Sequence, residues 1–180
     1  MDFYDTIFNR RTVHNYLPEP VSDETVDRIL AAAHMAPNHK LTWPWRFTLV
    51  GSETREQLLP IACKLKGATS SEMIAKISAK LLNPGALIVV TQHLQGDEFR
   101  QNEDYAAVCC AIQNILLAAR AEGLGSKWST GGLTQHPLIC DLLEVDPVTE
   151  KVVGFIWVGT PKSVPVIERP ELEMHIKRLA

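Results

Sequence analysis

Three clusters of side chains hold most of the donors and flat rings that chemistry could use. Arg10, Arg11 and Thr12 stand together after a short helical stretch. Two guanidinium forks and a hydroxyl can grip a phosphate, each charge-assisted bond being roughly twice as strong as a neutral one. The same pair also suits a solvated basic helix end favoured by the helix dipole, and the cluster alone does not choose between the two. Asn38, His39 and Lys40 follow Pro37, with Trp43-Pro44-Trp45-Arg46 just beyond. The prolines stiffen this loop, and its polar groups can donate to ring heteroatoms or phosphate, although two tryptophans before a strand can equally plug the end of a core. Trp128, Ser129, Thr130, Gly131 and Gly132 offer a ring, two hydroxyls and approachable backbone N–H groups, or simply a glycine-rich loop. All three clusters suit an anionic, aromatic ligand.

Other chemistries find less support. Gly123-Leu124-Gly125 begins like a dinucleotide fingerprint, but position 128 is Trp and the segment follows a helix where the fingerprint must follow a strand. No phosphate-binding P-loop occurs, and Ser129 lacks the first glycine of a nucleophile elbow. His34 and His39 flank Pro37 at a spacing that does not share a helical face, and no ligand set completes a metal site. His14, His93, His136 and His175 stand alone. Cys63, Cys109, Cys110 and Cys140 form no C-x-x-C and read as reduced, structural residues. With 18 Lys+Arg against 21 Asp+Glu, the net charge of −3 argues against nucleic acid as the ligand of Arg10-Arg11. No apolar run reaches the ~20 residues of a membrane helix and no secretory signal opens the chain, so a cytoplasmic location is expected.

The elements that must position these clusters can be read from periodicity and caps. A short helix is expected over Asp2 to Arg10. A second follows Ser22, whose hydroxyl can cap it, with Val26, Ile29, Leu30 and Ala33 at helical spacing until Pro37 stops it. Arg46 to Val50 reads as a strand. Helices are expected from Glu53 to Leu65, with Ser52 as cap, and from Ser71 to Leu82. Asn83-Pro84-Gly85 then breaks the chain before Ala86 to Thr91, an apolar run suited to a strand covered on both faces. Glu103 to Glu122 is a helix apolar on most sides, expected in a core or a subunit interface, with Ala111 in that packing. A shorter helix over Thr134 to Val145 and a strand over Lys151 to Gly159 complete the pattern. Three strands among irregularly alternating helices favour α+β. One domain spans 1–180, with 161–180 as a proline-containing C-terminal arm.

At these residues the chain resembles the nitroreductase family of FMN-dependent oxidoreductases, in its small single-domain branch. The resemblance rests on the order and spacing of Arg10-Arg11-Thr12, Ala36-Pro37-Asn38-His39-Lys40 leading to Pro44-Trp45-Arg46-Phe47, Trp128-Ser129-Thr130-Gly131, and Val153-Gly154-Phe155-Ile156-Trp157-Val158-Gly159-Thr160-Pro161. It implies a central mixed, mainly antiparallel sheet flanked by helices, and a homodimer with a long apolar helix at the interface and FMN where the subunits meet. By the same resemblance Arg10, Arg11 and Thr12 would hold the FMN phosphate, and Asn38 and His39 would reach the flavin from the partner subunit. Met35 belongs to the same contact set, and Trp128, Ser129 and Thr130 would lie along the ring and ribityl chain.

This sequence departs from the family's pattern at four places. Thr12 replaces a common Ser, Trp43 replaces a frequent Gln, and Ser129 and Met35 stand where the small branch often carries Arg. The implied activity is ping-pong transfer of hydride from NADH or NADPH, through flavin N5, to an electron-poor acceptor such as a nitroaromatic or quinone. The flavin supplies that chemistry, so no side chain is assigned as catalytic. Enone reduction, dehalogenation, flavin breakdown and a flavin-binding module without turnover are the alternatives that the same residues would serve.

Overall fold

A computed structural model describes residues 2–179, so the outer bounds of the expected domain, Met1 and Ala180, lie outside the described residues. The helices are α1 (Phe3–Asn9), α2 (Asp23–His34), α3 (Ser52–Leu65), α4 (Ser71–Leu82), α5 (Glu98–Ala121) and α6 (Pro137–Leu142). The strands are β1 (Trp45–Leu49), β2 (Ala86–His93), β3 (Gly125–Ser129) and β4 (Glu150–Gly159), and short 3₁₀ turns cover His39–Leu41 and Leu172–His175. The strands form one sheet in the order β1-β2-β4-β3, with all three ladders antiparallel. The parallel component is a single bridge between Thr12 and Ser126 on the outer edge of β3.

Alternation along the two central strands gives the sheet two apolar faces. Ile88, Val90, Ile156 and Val158 pack with Ala111, Ile112 and Ile115 of α5 and Ile29 of α2. Leu87, Val89, Phe155 and Trp157 pack with Leu58 of α3, Ile77 of α4 and Ile139 of α6. The unbroken apolar run of β2 is thus explained by burial on both sides.

Local signals account for most boundaries and explain the differences. Ser22 accepts from the Thr25 N–H at the start of α2, as its position predicts. Ser52 does not cap α3 but lies inside it, and Gly51 is the N-cap. Helix α5 begins at Glu98, five residues before the expected Glu103, because Asp97 caps it by accepting from the Arg100 N–H. Helix α6 is shorter than expected, since Thr134 bonds back to the Gly131 carbonyl in a turn and His136 supplies the cap.

Strand β3 is the element the sequence conceals. Its Gly-Ser-Lys-Trp-Ser composition has no alternation or β-branched content, and its pairing is imposed by β4. Helix α5 also differs from expectation. Ala111 is fully buried against the chain's own sheet, while Ala106, Cys110 and Gln113 form the exposed face. Ala111 therefore belongs to the intrachain core and not to an interface.

Arg55 ties the α3–α4 hairpin to the sheet. Its buried guanidinium donates to the carbonyls of Leu81 (2.7 Å), Leu82 (2.9 Å) and Pro84 (2.6 Å), answering the C-terminal end of α4. The final segment leaves the core after Pro161 bridges Tyr16 and the Lys162 N–H donates to Asn15 O. Residues 162–179 are exposed throughout, with Val166 97% exposed and Met174 77% exposed. No helix among the described residues is long and apolar enough to cross a membrane.

Candidate functional site

The end of α1 places the basic pair. Arg10 is the C-cap residue of α1 in extended conformation, and from there the chain runs along the outer edge of β3, where the Val13 N–H donates to Ser126 O at 3.0 Å. Thr12 is held in register by its bridge to Ser126. The two arginines are not equivalent. Arg11 Nη1 donates to the carbonyls of Phe8 (2.6 Å) and Arg10 (2.9 Å), so it closes the helix end. Among the described residues the Arg10 guanidinium meets no such carbonyl, and with Arg11, Arg120 and Ser126 it lines a narrow cavity. Arg120 Nε, from the last turn of α5, is buried there without a hydrogen-bond partner. Burial first, then the like charges of Arg169 and Arg11, lower the pKa of Arg10. Among the described residues no carboxylate lines this cavity, and an anion is what would answer the cluster.

Farther along β3 the surroundings turn apolar. From Ser126 to Thr130 is four residues, about 13 Å of strand. There a cavity of about 530 Å³ opens between the sheet and the α3–α4 hairpin, lined by Ser129, Thr130, Gly131 and Gly132 and walled by Phe155, Trp157 and Leu133. The Trp157 indole donates to Ser129 Oγ at 3.2 Å, which sets that hydroxyl in place. Trp128 faces the other way. It packs into the core on the α5 side, where its indole fills the space that a side chain at Gly154 would need.

Met35, Asn38 and His39 lie elsewhere. Helix α2 runs antiparallel to α5, with Arg28 on Glu122 at one end, and the loop after α2 meets Arg100 and Asp104 at the other. Asp104 and Arg120 are sixteen residues apart on α5, about 24 Å along its axis. One chain therefore gathers Arg10, Arg11, Thr12, Ser129 and Thr130 along β3 and holds Met35, Asn38 and His39 near the far end of α5.

That far loop is strained and clamped. Lys40, Leu41 and Trp43 have φ of 54°, 54° and 48°, the left-handed region that costs side-chain-bearing residues roughly 1–2 kcal/mol each. Asn38 Oδ1 accepts from the Trp43 N–H, Arg100 donates to His39 O at 3.1 Å, and Thr42 donates to the fully buried Asp104 at 2.6 Å. Glu103 stands 3.8 Å from His39 Nδ1. Trp43 stacks on His34, whose Nδ1 accepts from the Trp45 indole, and Met35 is 78% exposed beside them.

Sequence reasoning missed Arg120, the Arg100–Asp104 clamp, and the lysines of the larger cavity, Lys66, Lys80 and Lys127. Arg100, Asp104 and Arg120 are spread over α5, and Lys66, Lys80 and Lys127 come from the end of α3, α4 and β3, so contiguous spacing carried no signal. Among the described residues no group of three His, Cys, Asp or Glu side chains could hold a metal ion.

Comparison with known proteins places this geometry in context. The profile of the Nitroreductase family matches residues 7–160. The Bacillus subtilis (strain 168) protein YfhC, named as an NAD(P)H nitroreductase, is 30% identical over 171 residues, covering 92% of this chain and 87% of that protein. A nitroreductase-like protein of Bacillus cereus superposes with a TM-score of 0.84 at 28% identity, covering 99% and 96% of the two chains. A protein of Desulfovibrio desulfuricans, named as a nitroreductase and solved in complex with FMN, superposes with a TM-score of 0.79 at 24% identity, covering 100% and 98%.

Proposed function

The chain belongs to the nitroreductase family, and from that membership we propose that it is an FMN-dependent oxidoreductase. It takes electrons from NADH or NADPH and passes them to an electron-poor acceptor such as a nitroaromatic or a quinone. The observation that carries the reading is the run along β3 from unanswered guanidinium groups at Arg10 and Arg120 to an apolar, hydroxyl-lined cavity. A phosphate with about −2 charge at the mouth of the first cavity would answer the guanidinium groups, and a flat ring system fits the second.

Bound FMN supplies the redox chemistry, two-electron transfer at N5 in ping-pong order. The protein binds and orients. Arg10, with Arg11 and the Thr12 hydroxyl, anchors the phosphate through charge-assisted bonds. The Ser129 and Thr130 hydroxyls and the backbone N–H groups of Gly131 and Gly132, which line the cavity, would donate to the polar edge of the ring, where reduction adds negative charge. No general acid or base is required of any side chain.

The site is completed by a second copy of the chain. The loop that follows Met35 and carries Asn38 and His39 meets α5 at Arg100 and Asp104, about 24 Å along that helix from Arg120, and in this reading these residues serve the partner's cofactor. The exposed α5 face of Ala106, Cys110 and Gln113 and the arm after Pro161 supply surfaces for a homodimer, which we place in the cytoplasm. The test is the visible spectrum of the purified protein under anaerobic conditions. Flavin bands that bleach with NADH or NADPH are expected, and a protein that cannot be loaded with FMN overturns the assignment.

A further inference from the structure

The cavity beside β3 that would take the flavin ring also carries charge. Lys127 projects from the middle of β3, paired across the ladder with Trp157, and Lys66 and Lys80 reach the same space from α3 and α4. No Asp or Glu lines this cavity. Among the described residues the lysine that does form an ion pair is Lys76, with Glu72, outside it. Burial, then the like charges of Lys80 and Lys66, lower the pKa of Lys127. Lys127 is half-buried and Lys66 and Lys80 are exposed; their like charges repel one another, and an anion bound beside the ring relieves that repulsion.

We propose that Lys127, Lys80 and Lys66 receive a carboxylate of the electron acceptor, so that the preferred acceptor is a flat aromatic acid and not a neutral nitroaromatic or quinone. This assignment rests on the oxidoreductase reading above. For a nitroaromatic acid the balance is simple: NADPH gives up a hydride, and with one proton it converts the nitro group to a nitroso group and water. The carboxylate takes no part in that exchange and serves only to hold the molecule.

The experiment uses the FMN-loaded protein with 4-nitrobenzoate and methyl 4-nitrobenzoate, which differ in charge. The parent is expected to show a KM about tenfold lower for the acid, the worth of one charge-assisted contact. Calorimetric binding of 4-nitrobenzoate without NADPH should weaken about tenfold in Lys127→Gln and in Lys80→Gln, and recover in Lys127→Arg. Added salt should narrow the gap between acid and ester. A parent that bleaches with NADPH yet treats acid and ester alike overturns the acceptor assignment alone. So does a Lys127→Gln protein that sheds FMN while keeping the acid-to-ester ratio, because the lysines then serve the cofactor. A parent that takes no FMN overturns the oxidoreductase reading and this assignment with it.

Discussion

Arg55 is buried and Arg10 half-buried in the same small protein, and burial lowers the pKa of each. Their surroundings differ in one respect. Arg55 donates from Nε and Nη2 to the carbonyls of Leu81, Leu82 and Pro84, so its charge is answered within the chain. Arg10 meets other cations, Arg11, Arg120 and Arg169, and lines a narrow cavity with two of them. The first arrangement is a structural joint. The second calls for an anion, and the lysines around Lys127, at the middle of β3, repeat it.

The sharpest way to break this contrast is to remove the answered arginine. Arg55→Leu strands three carbonyls and the end of α4, and should lower unfolding stability by about 3 kcal/mol in a urea titration. Unchanged stability would mean that these bonds add little and that Arg55 is no better satisfied than Arg10. Arg10→Ala should do the reverse, weakening FMN about thirtyfold, or about 2 kcal/mol, with little change in the apo-protein's urea midpoint. Arg11→Ala should show both effects in smaller measure, because Arg11 also closes α1.

A third test moves to the clamped loop. Thr42→Val removes the bond to Asp104 and should weaken FMN about fivefold, roughly 1 kcal/mol, while speeding amide exchange across residues 38–43. Thr42→Ser keeps the hydroxyl and should restore both readouts; failure to restore them would reduce the clamp to packing.

The smallest effect is one of pH. Because folding lowers the pKa of Lys127, the unfolded chain keeps that proton to higher pH than the folded one. Stability should therefore rise as pH climbs from the folded-state value toward the ordinary ~10.4, and 4-nitrobenzoate affinity should fall over the same range. Melting temperatures of the parent and Lys127→Gln across alkaline pH should diverge in that direction. Parallel curves would show that Lys127 is not held among uncompensated charges.

Elements whose signals are local were readable in advance. Ser22 caps α2, and the apolar run of β2 lies at the centre of the sheet. Features created by tertiary contact were not. Strand β3 exists because β4 pairs with it, and α5 gained a turn through a side-chain cap at Asp97 that its charged N-terminal segment hid. The site followed the same division. The phosphate-side cluster could be found from contiguous residues, whereas nothing in the Arg10-Arg11 dipeptide says which arginine bonds its own helix. Arg120 and the three lysines converge from separate elements. Ala111 and Gln113 differ by two positions on one helix, yet one faces the sheet and the other solvent.

The separation of the two residue groups along α5 has a genetic consequence. On the proposed shared site, each pocket takes its arginines from one chain and its histidine from the other. Two alleles, one carrying Arg10→Ala and the other His39→Ala, each give a homodimer with two damaged pockets. Mixed in one cell, they pair into dimers in which one pocket collects both lesions and the other collects none, so two inactive genes restore activity that neither supplies alone.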